Sequence, residues 1–431
     1  MLNLRIRKNL DLFIVFLIIM QLVFLKFNGY EQIGNKLLTA LIGVTVIKHI
    51  YKFMSNSVEI LLLGLLVFLF LINILLLGGS PGNIRSNIAI LLYPILSVLF
   101  IGYFIENYSK EFFGMMKKAF YLINGYYLLN VIVLMIQLQG NGFMVGRNAA
   151  GTINPMYEDL IAGLLGYSGT HQLSLFLVFV VLYNLTYWKY VVRKSRKNIL
   201  FIYILLNVIF GCYISIENYN QAFFFLLPLA FILYILSIGI DASEMRIPDK
   251  TIMKYIVLAI GILFIIYILY NRNIWVQEFI DDNILDKLDM ASSAMDMGLS
   301  ANGSDERFAI ILYGLNNYDG WCLGRGFGNY FIYSGGALGF RHFGQGSIGT
   351  LICLGGIWFV LAWVLLNAFI LTKTIFRRIN LVGFMIIVAY YIFLGVYCQV
   401  AYDNIVALWA IMSLLPIRFA RDLKEKRIER Y

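Results

Sequence analysis

At 431 residues the chain carries 13% charged residues against 61% hydrophobic ones, and its mean hydropathy is +0.79. That balance excludes an ordinary soluble domain, in which about a quarter of residues are charged. A net charge of +10 would suit nucleic-acid binding in a soluble protein, so its distribution along the chain decides what it means.

Apolar runs recur along almost the whole length, each long enough to cross a hydrocarbon core of about 30 Å as a helix, and the alternation of an outer-membrane barrel strand is absent. The first, "LDLFIVFLIIMQLVFLKF" after "MLNLRIRKN", is too long for a signal peptide and lacks a small-residue cleavage site before "NGYEQ"; it reads as a retained span. Spans are expected at about 10–27, 33–50, 58–77, 86–105, 119–138, 171–192, 198–216, 219–240, 251–271, 347–370, 380–400 and 403–419. The expected fold is an all-α polytopic membrane protein of about 12 transmembrane helices, one integral membrane domain over 1–431.

The basic residues sort by side. With the N-terminus inside, the inner segments hold Arg5, Arg7 and Lys8, Lys110, Lys117 and Lys118, "RKSRK" at 193–197, "KTIFRR" at 373–378 and "RFARDLKEKR" at the end. About 25 of the 34 Lys and Arg fall inside, so the positive-inside rule puts both termini in the cytoplasm. The surplus charge therefore marks topology, and no nucleic-acid partner is expected. Cys212, Cys322, Cys353 and Cys398 lie apart, with no disulfide framework or CxxC metal site.

Two outer segments exceed the short connections elsewhere: 139–170, and a large one at 272–346 before the tenth span. The large one has patterned pieces. "WVQEFIDDNILDKL" alternates acids with Trp275, Phe279, Ile280, Ile284 and Leu288, as an interfacial helix would. "SDERFAIILYGLNN" opens on Ser304 and sets Phe308, Ile311, Leu312 and Leu315 at helical spacing. The following "GWCLGRGFGNYFIYSGGALGF" has too many glycines for a helix, and its backbone can approach a ligand closely.

On this topology the polar residues gather at the outer boundary: Arg147, Glu158, Asp159, His171, Glu217, Asn218, Arg307, Arg325, Arg341, His342 and Gln345. Span interiors carry few charges, unlike the ion relays of transporters. His342 precedes the helix "GSIGTLICLGGIWFVLAWVLL", whose dipole keeps an imidazole neutral and able to accept a proton; an interfacial histidine bonded to a backbone carbonyl is the alternative. Arg307 fits a phosphate contact or a salt bridge with a neighbouring acid. Arg325 lies in "LGRGFGN", where bare amides on both sides are expected to join its guanidinium around a phosphate. Asp281 and Asp282 lack a third carboxylate at fitting spacing, so no metal is expected. Aromatics in the outer loops suit sugar stacking or interfacial anchoring.

The order of spans, a large late outer loop with arginines, and "LGRGFGNY" followed by a histidine leading into "GSIGTLICLGGIW" resembles the O-antigen polymerase (Wzy) and O-antigen ligase superfamily. Its arginine ahead of an amphipathic helix matches Arg307, its glycine turn matches Gly324, Gly326 and Gly328, its helix-opening histidine matches His342, and the glycine pair that ends that helix matches Gly355 and Gly356. Arg325 to Gly336 fits the RX10G pattern of some polymerases, and "IAGLLGYSGTHQLSLFL" is similar to the lead into the span after the first long outer loop. Three departures stand out: Phe343 where asparagine is frequent, His171 where asparagine is common, and "SIENYNQ" at 215–221 without the arginine many members carry.

The resemblance implies a GT-C-like membrane glycosyltransferase of the bacterial cytoplasmic membrane, independent of metal and nucleotide, that polymerises polyprenyl-diphosphate-linked repeat units of a surface polysaccharide at the outer face. Donor and acceptor saccharides are its implied partners, beside the bilayer, a flippase and a chain-length regulator. His342, Arg325 and Arg307 are the implied catalytic residues; Arg341, Arg147, Glu158, Asp159, His171, Glu217 and Gln345 are the implied substrate contacts. A ligase differs only in acceptor, and a flippase or other transporter is the alternative of another class.

Overall fold

The computed structural model describes residues 39–47, 57–143, 161–166, 169–218, 222–239, 270–281, 304–329, 346–376, 380–401 and 403–428, with a few single positions between them. Among these residues the chain is helical apart from turns and a single isolated bridge, and five helices are long and apolar enough to cross a membrane. Expected spans at 10–27 and 251–271 fall almost entirely outside the described residues, and 39–47 is the described, helical part of the span at 33–50.

After that piece come α1 (Ser57–Leu77) and α2 (Pro81–Leu138), a 3-10 turn at Gly163–Leu165, α3 (Thr170–Tyr190), α4 (Lys197–Glu217) and α5 (Ala222–Gly239). The large loop contributes α6 (Ile274–Ile280) and α7 (Ser304–Asn317); α8 (Ser347–Phe376), α9 (Leu381–Tyr397) and α10 (Asn404–Ile428) follow. Side-chain caps start several of them. Ser80 Oγ accepts from Asn83 N with Pro81 in the first turn, the Asn380 side chain accepts from Gly383 N, and Asp403 Oδ1 accepts from Ile405 N and Val406 N.

The expected spans at 86–105 and 119–138 belong to one helix, α2, of 58 residues. A straight helix of that length would run about 87 Å, far more than a bilayer. Yet Asn83 and Asn87 near its start, and Gln137 near its end, all bond to backbone at the end of the bundle that bears Gly163 and Gly328, whereas Gly102 abuts Thr374 at the opposite end. The two halves run in opposite senses, so α2 is bent sharply between them. The charged connection expected at 106–118 is helical.

The core lies where α3, α8, α9 and α10 meet. Trp409 of α10 sits edge-on to Phe176 and Phe179 of α3, Trp363 of α8 meets Tyr391 of α9, and the Tyr390 hydroxyl shares a 2.8 Å hydrogen bond with Ser413. Charges buried in the bundle gather at the end away from Gly328. Lys373 pairs with Glu59 at 3.0 Å, and Arg418 with Asp422 at 3.0 Å. Arg418 donates to Thr374 O at 2.8 Å, Arg421 donates to Phe376 O, and Lys424 donates to Ile238 O at 2.7 Å. The basic stretch of α10 thereby caps the last carbonyls of α8 and α5, where helix dipoles are negative.

Helix α8 is interrupted. Gly356 has φ 75° and ψ 175°, outside helical space, which divides α8 into 347–355 and 357–376. The second part, at about 1.5 Å per residue, spans about 30 Å and lies antiparallel to α1, with Lys373 beside Glu59 and Leu354 beside Asn73. Ser347 bonds to Cys398 O and Ala401 N, just before α10 begins, and α10 from Asn404 to Arg421 is itself about 26 Å long. Both ends of 347–355 thus stand about one bundle length from the basic end, so this segment crosses the bundle mouth, and α7 lies along it, with Ile310 against Gly349 and Gly314 against Cys353.

Candidate functional site

The break at Gly356 and the glycine loop after α7 complete one another. Where α8 stops being helical, the carbonyls of Cys353 and Leu354 accept from Arg325 N at 2.7 Å and Gly326 N at 2.9 Å, and Ile357 N donates to Gly320 O at 2.6 Å. Asn73, fully buried on α1, donates through Nδ2 to Leu323 O and Leu354 O and accepts from Phe327 N at 2.8 Å. Phe327 is itself fully buried, its ring 4.8 Å from Phe70 and 4.8 Å from Phe359. The next residue, Gly328, presses backbone to backbone on Gly79, so a side chain on either would overlap the other. Its carbonyl accepts from Ser80 N at 2.7 Å and Asn83 Nδ2 at 3.2 Å, and Asn87 holds Phe327 O at 2.7 Å.

One expectation is corrected here. The amides flanking Arg325 are not bare: Gly324 N bonds to Asp319 O, and the amides of 325, 326 and 327 are satisfied by α8 and Asn73. A buried backbone donor needs a partner, and the broken helix supplies carbonyls that need donors, so the loop closes on the helix. What remains for a ligand is the side chain. Arg325 is exposed, its guanidinium 5.0 Å from the Tyr318 ring centre, with Nη1 donating to the Tyr318 hydroxyl at 3.1 Å; Tyr318 stands edge-on to Tyr313. A rigid backbone thus carries a stacked, solvent-facing cation.

Arg307 lies in the first turn of α7, half-buried, its guanidinium 5.3 Å from the ring centre of Tyr397 at the end of α9. From Arg307 to Tyr318, which holds Arg325, α7 covers about 16 Å along its axis. The two arginines flank the same end of the bundle but do not converge on one point.

His171 and Glu217 belong to a second cluster at this end. Asn220 Oδ1 accepts from Ala222 N, which turns Asn220 Nδ2 toward His171 Nδ1 at 2.9 Å; Nδ1 accepts, and the ring proton of the neutral imidazole sits on Nε2. Glu217 ends α4, exposed, beside buried Asn218. The next residue of α3, Gln172, donates to Asp403 at 3.3 Å. Between α2 and α3 the buried backbone at 161–166 is held by carboxamides: Leu164 N donates to Asn130 at 2.6 Å, Gly163 N to Gln137 at 2.7 Å, and Asn218 Nδ2 donates to Ile161 O at 3.2 Å. Irregular backbone at membrane depth persists only with such partners. Of the remaining sequence candidates, Arg147, Glu158, Asp159, Arg341, His342 and Gln345 lie outside the described residues.

The functional residues that sequence reading passed over are amides. Asn73, Asn83, Asn87, Asn130, Gln137 and Asn220 position the two polar loops. Their signal was an isolated carboxamide near the end of an apolar run, as with Asn73 in "FLFLINILLL".

In comparisons with known proteins, no family model and no curated protein matches the sequence. The fold and site define a class only: among the described residues, a helical bundle with five helices long and apolar enough to cross a membrane and a polar layer bearing Arg307 and Arg325 at one end.

Cysteine labelling checks which way that end faces. Cys322 is exposed in the loop after α7, whereas Cys353 and Cys398 are buried. Cys212 is half-buried, so the test is run on a Cys212→Ser background: an impermeant maleimide added to intact cells is expected to label it but not its Cys322→Ser derivative, with Cys353 and Cys398 reacting only after denaturation. Labelling of Cys322 only after permeabilisation would reverse the expected orientation.

Proposed function

We propose that this protein polymerises polyprenyl-diphosphate-linked oligosaccharide repeat units into a surface polysaccharide at the outer face of a bacterial cytoplasmic membrane. The observation that carries the reading is Arg325: an exposed guanidinium, stacked on Tyr318, on a loop fixed to a break at the boundary of a membrane-spanning helix. A lipid-borne diphosphate lies at that depth. In the reaction an acceptor sugar hydroxyl attacks the anomeric carbon of the donor; the new C–O bond forms as the bond to diphosphate breaks, and the bonding pair leaves on the diphosphate. Its growing negative charge is what Arg325 offsets. The hydroxyl proton passes to His342, which precedes α8 in sequence and in its neutral form accepts a proton.

In this reading Arg307, with Arg341 and Arg147, contributes positive charge near the mouth. Glu158, Asp159, His171, Glu217 and Gln345 orient sugar hydroxyls, His171 being held through its Nδ1 by Asn220. The diphosphate is a good leaving group, so positioning and charge neutralisation suffice without a metal or nucleotide. A flippase supplies the substrate, and a chain-length regulator is a fitting partner.

In a host lacking its own polymerase, Arg325→Ala and His342→Ala are each expected to lower polymer formation about 100-fold or more. Arg325→Lys, which keeps the charge but not the planar stack on Tyr318, falls between. Normal polymer length from correctly inserted variants overturns the assignment.

A further inference from the structure

The α3–α4 turn lies at the end of the bundle remote from Arg325. Five cations lie in it or in the helix ends beside it, Lys189 of α3, Arg193, Lys194 and Arg196 of the turn and Lys197 of α4, and the sequence has no Asp or Glu between Asp159 and Glu217. Arg193, Lys194 and Arg196 are exposed. Other described charges on neighbouring elements do not neutralise them. Lys118 of α2 and Lys424 of α10 add positive charge, and the acids of α10 here already bond to arginines, Asp422 to Arg418 and Glu425 to Arg421. A surplus of this kind is costly through self-repulsion unless an anion joins it.

The turn is also built rather than loose. Trp188 Nε1 donates to Lys197 O at 3.0 Å, tying the end of α3 to the start of α4, and Lys197 Nζ stands 5.3 Å above the Trp188 ring centre. Phe201 packs on Trp188 from α4, and Tyr187 stacks on Phe120 of α2 at 4.0 Å. Within the turn, Arg196 N donates to Arg193 O at 3.0 Å, which folds the exposed cations around one short 3-10 turn. Trp and Tyr at the ends of membrane-spanning helices mark the headgroup level. The three exposed cations therefore sit at the depth of lipid phosphates, not out in solvent.

We propose that the α3–α4 turn binds the phosphate headgroup of an anionic membrane lipid, held by Arg193, Lys194 and Arg196 beside the Trp188–Lys197 clamp. Arginine offers paired N–H donors to phosphate oxygens, and lysine a compact charge. The inference does not depend on the chemistry at the other end of the bundle.

The test uses the full-length protein in phosphatidylcholine nanodiscs, titrated with phosphatidylglycerol and read by native mass spectrometry as lipid retained per chain. Wild type is expected to retain phosphatidylglycerol in preference to phosphatidylcholine. Each of Arg193→Gln, Lys194→Gln and Arg196→Gln should weaken retention about fivefold, and the triple variant by roughly 100-fold. A control triple of like charge from the C-terminal sequence, Lys426→Gln, Arg427→Gln and Arg430→Gln, should stay near wild type. Equal losses in both triples would mean diffuse attraction and overturn the site, as would no preference in wild type. Displacement of the lipid by inorganic phosphate at matching concentration would make free phosphate the ligand and overturn the lipid assignment. The single variants, with melting temperatures matched to wild type, keep the test decisive if the triple misfolds.

Discussion

Gly356→Ala is expected to destabilise the protein by about 3 kcal/mol or more and to disable the arginine loop with it. Two costs add. Gly356 holds φ 75° and ψ 175°, a region essentially reserved to glycine that costs an L-residue about 1–3 kcal/mol. Its new Cβ would also overlap the carbonyl of Cys322, which is backbone and cannot swing aside as a side-chain tip would. Relief requires the loop at 318–329 to move off α8, stripping the Cys353 and Leu354 carbonyls of the donors they take from Arg325 and Gly326. Gly64→Ala on α1, a helical glycine facing open space, is the matched control and should be neutral or stabilising by about 0.5–1 kcal/mol. Thermal melting in detergent, with limited proteolysis of the loop, separates the two. If both variants melt alike, the break at Gly356 is not what holds the loop.

Much of the helical layout was legible because its cause is local. Apolar runs bounded by charges give α1, α3 and α4 to within a residue or two of the expected spans, and Ser304–Asn317 is the helix its spacing predicts. The break in α8 was not legible in the apolar pattern, although the family resemblance implies a helix that ends at the pair Gly355 and Gly356, where the break lies. Within "LICLGGIW" a glycine pair reads equally as close helix packing, and only the approach of Gly320, Arg325 and Gly326 from elsewhere in the chain makes a non-helical residue favourable there. The joining of two spans into α2 was hidden for a related reason. Charges such as Lys110, Lys117 and Lys118 mark a boundary to hydropathy, yet Lys and Glu are good helix formers, so the backbone continues through them.

At the site, the exposure of Arg325 follows from its glycine neighbours, and its place near a membrane boundary follows from the span after it. The fate of the surrounding amides did not follow. A glycine-rich loop looks open in sequence because glycine leaves backbone uncovered; here α8, α1 and the start of α2 cover it. His171 stands out in the sequence as an ionisable group, whereas Asn220, which fixes its tautomer, is an uncharged amide among polar neighbours.

Asn73 is where that dependence is most exposed to test. Its carboxamide bonds to three backbone groups from two distant segments: Leu323 O and Leu354 O as donor, Phe327 N as acceptor. Asn73→Leu preserves volume and the apolar character of α1 but leaves Leu323 O and Phe327 N without those bonds. At about 1–3 kcal/mol for each buried group, the expected loss is about 2–6 kcal/mol. Leu354 O suffers less, since Gly326 N still donates to it. Asn73→Asp should be worse at neutral pH, because a carboxylate retains the contact with Phe327 N but sets its charge against two carbonyl oxygens in a buried site. Asn83→Ala should cost only about 1 kcal/mol, because Gly328 O keeps its bond from Ser80 N. The expected order of melting temperatures is Asn83→Ala above Asn73→Leu above Asn73→Asp. Polymer formation should follow the same order, since Arg325 is aimed by the backbone that Asn73 holds. A stable Asn73→Leu protein with full activity would mean that the Phe327 plug and the Gly79–Gly328 contact fix the loop unaided.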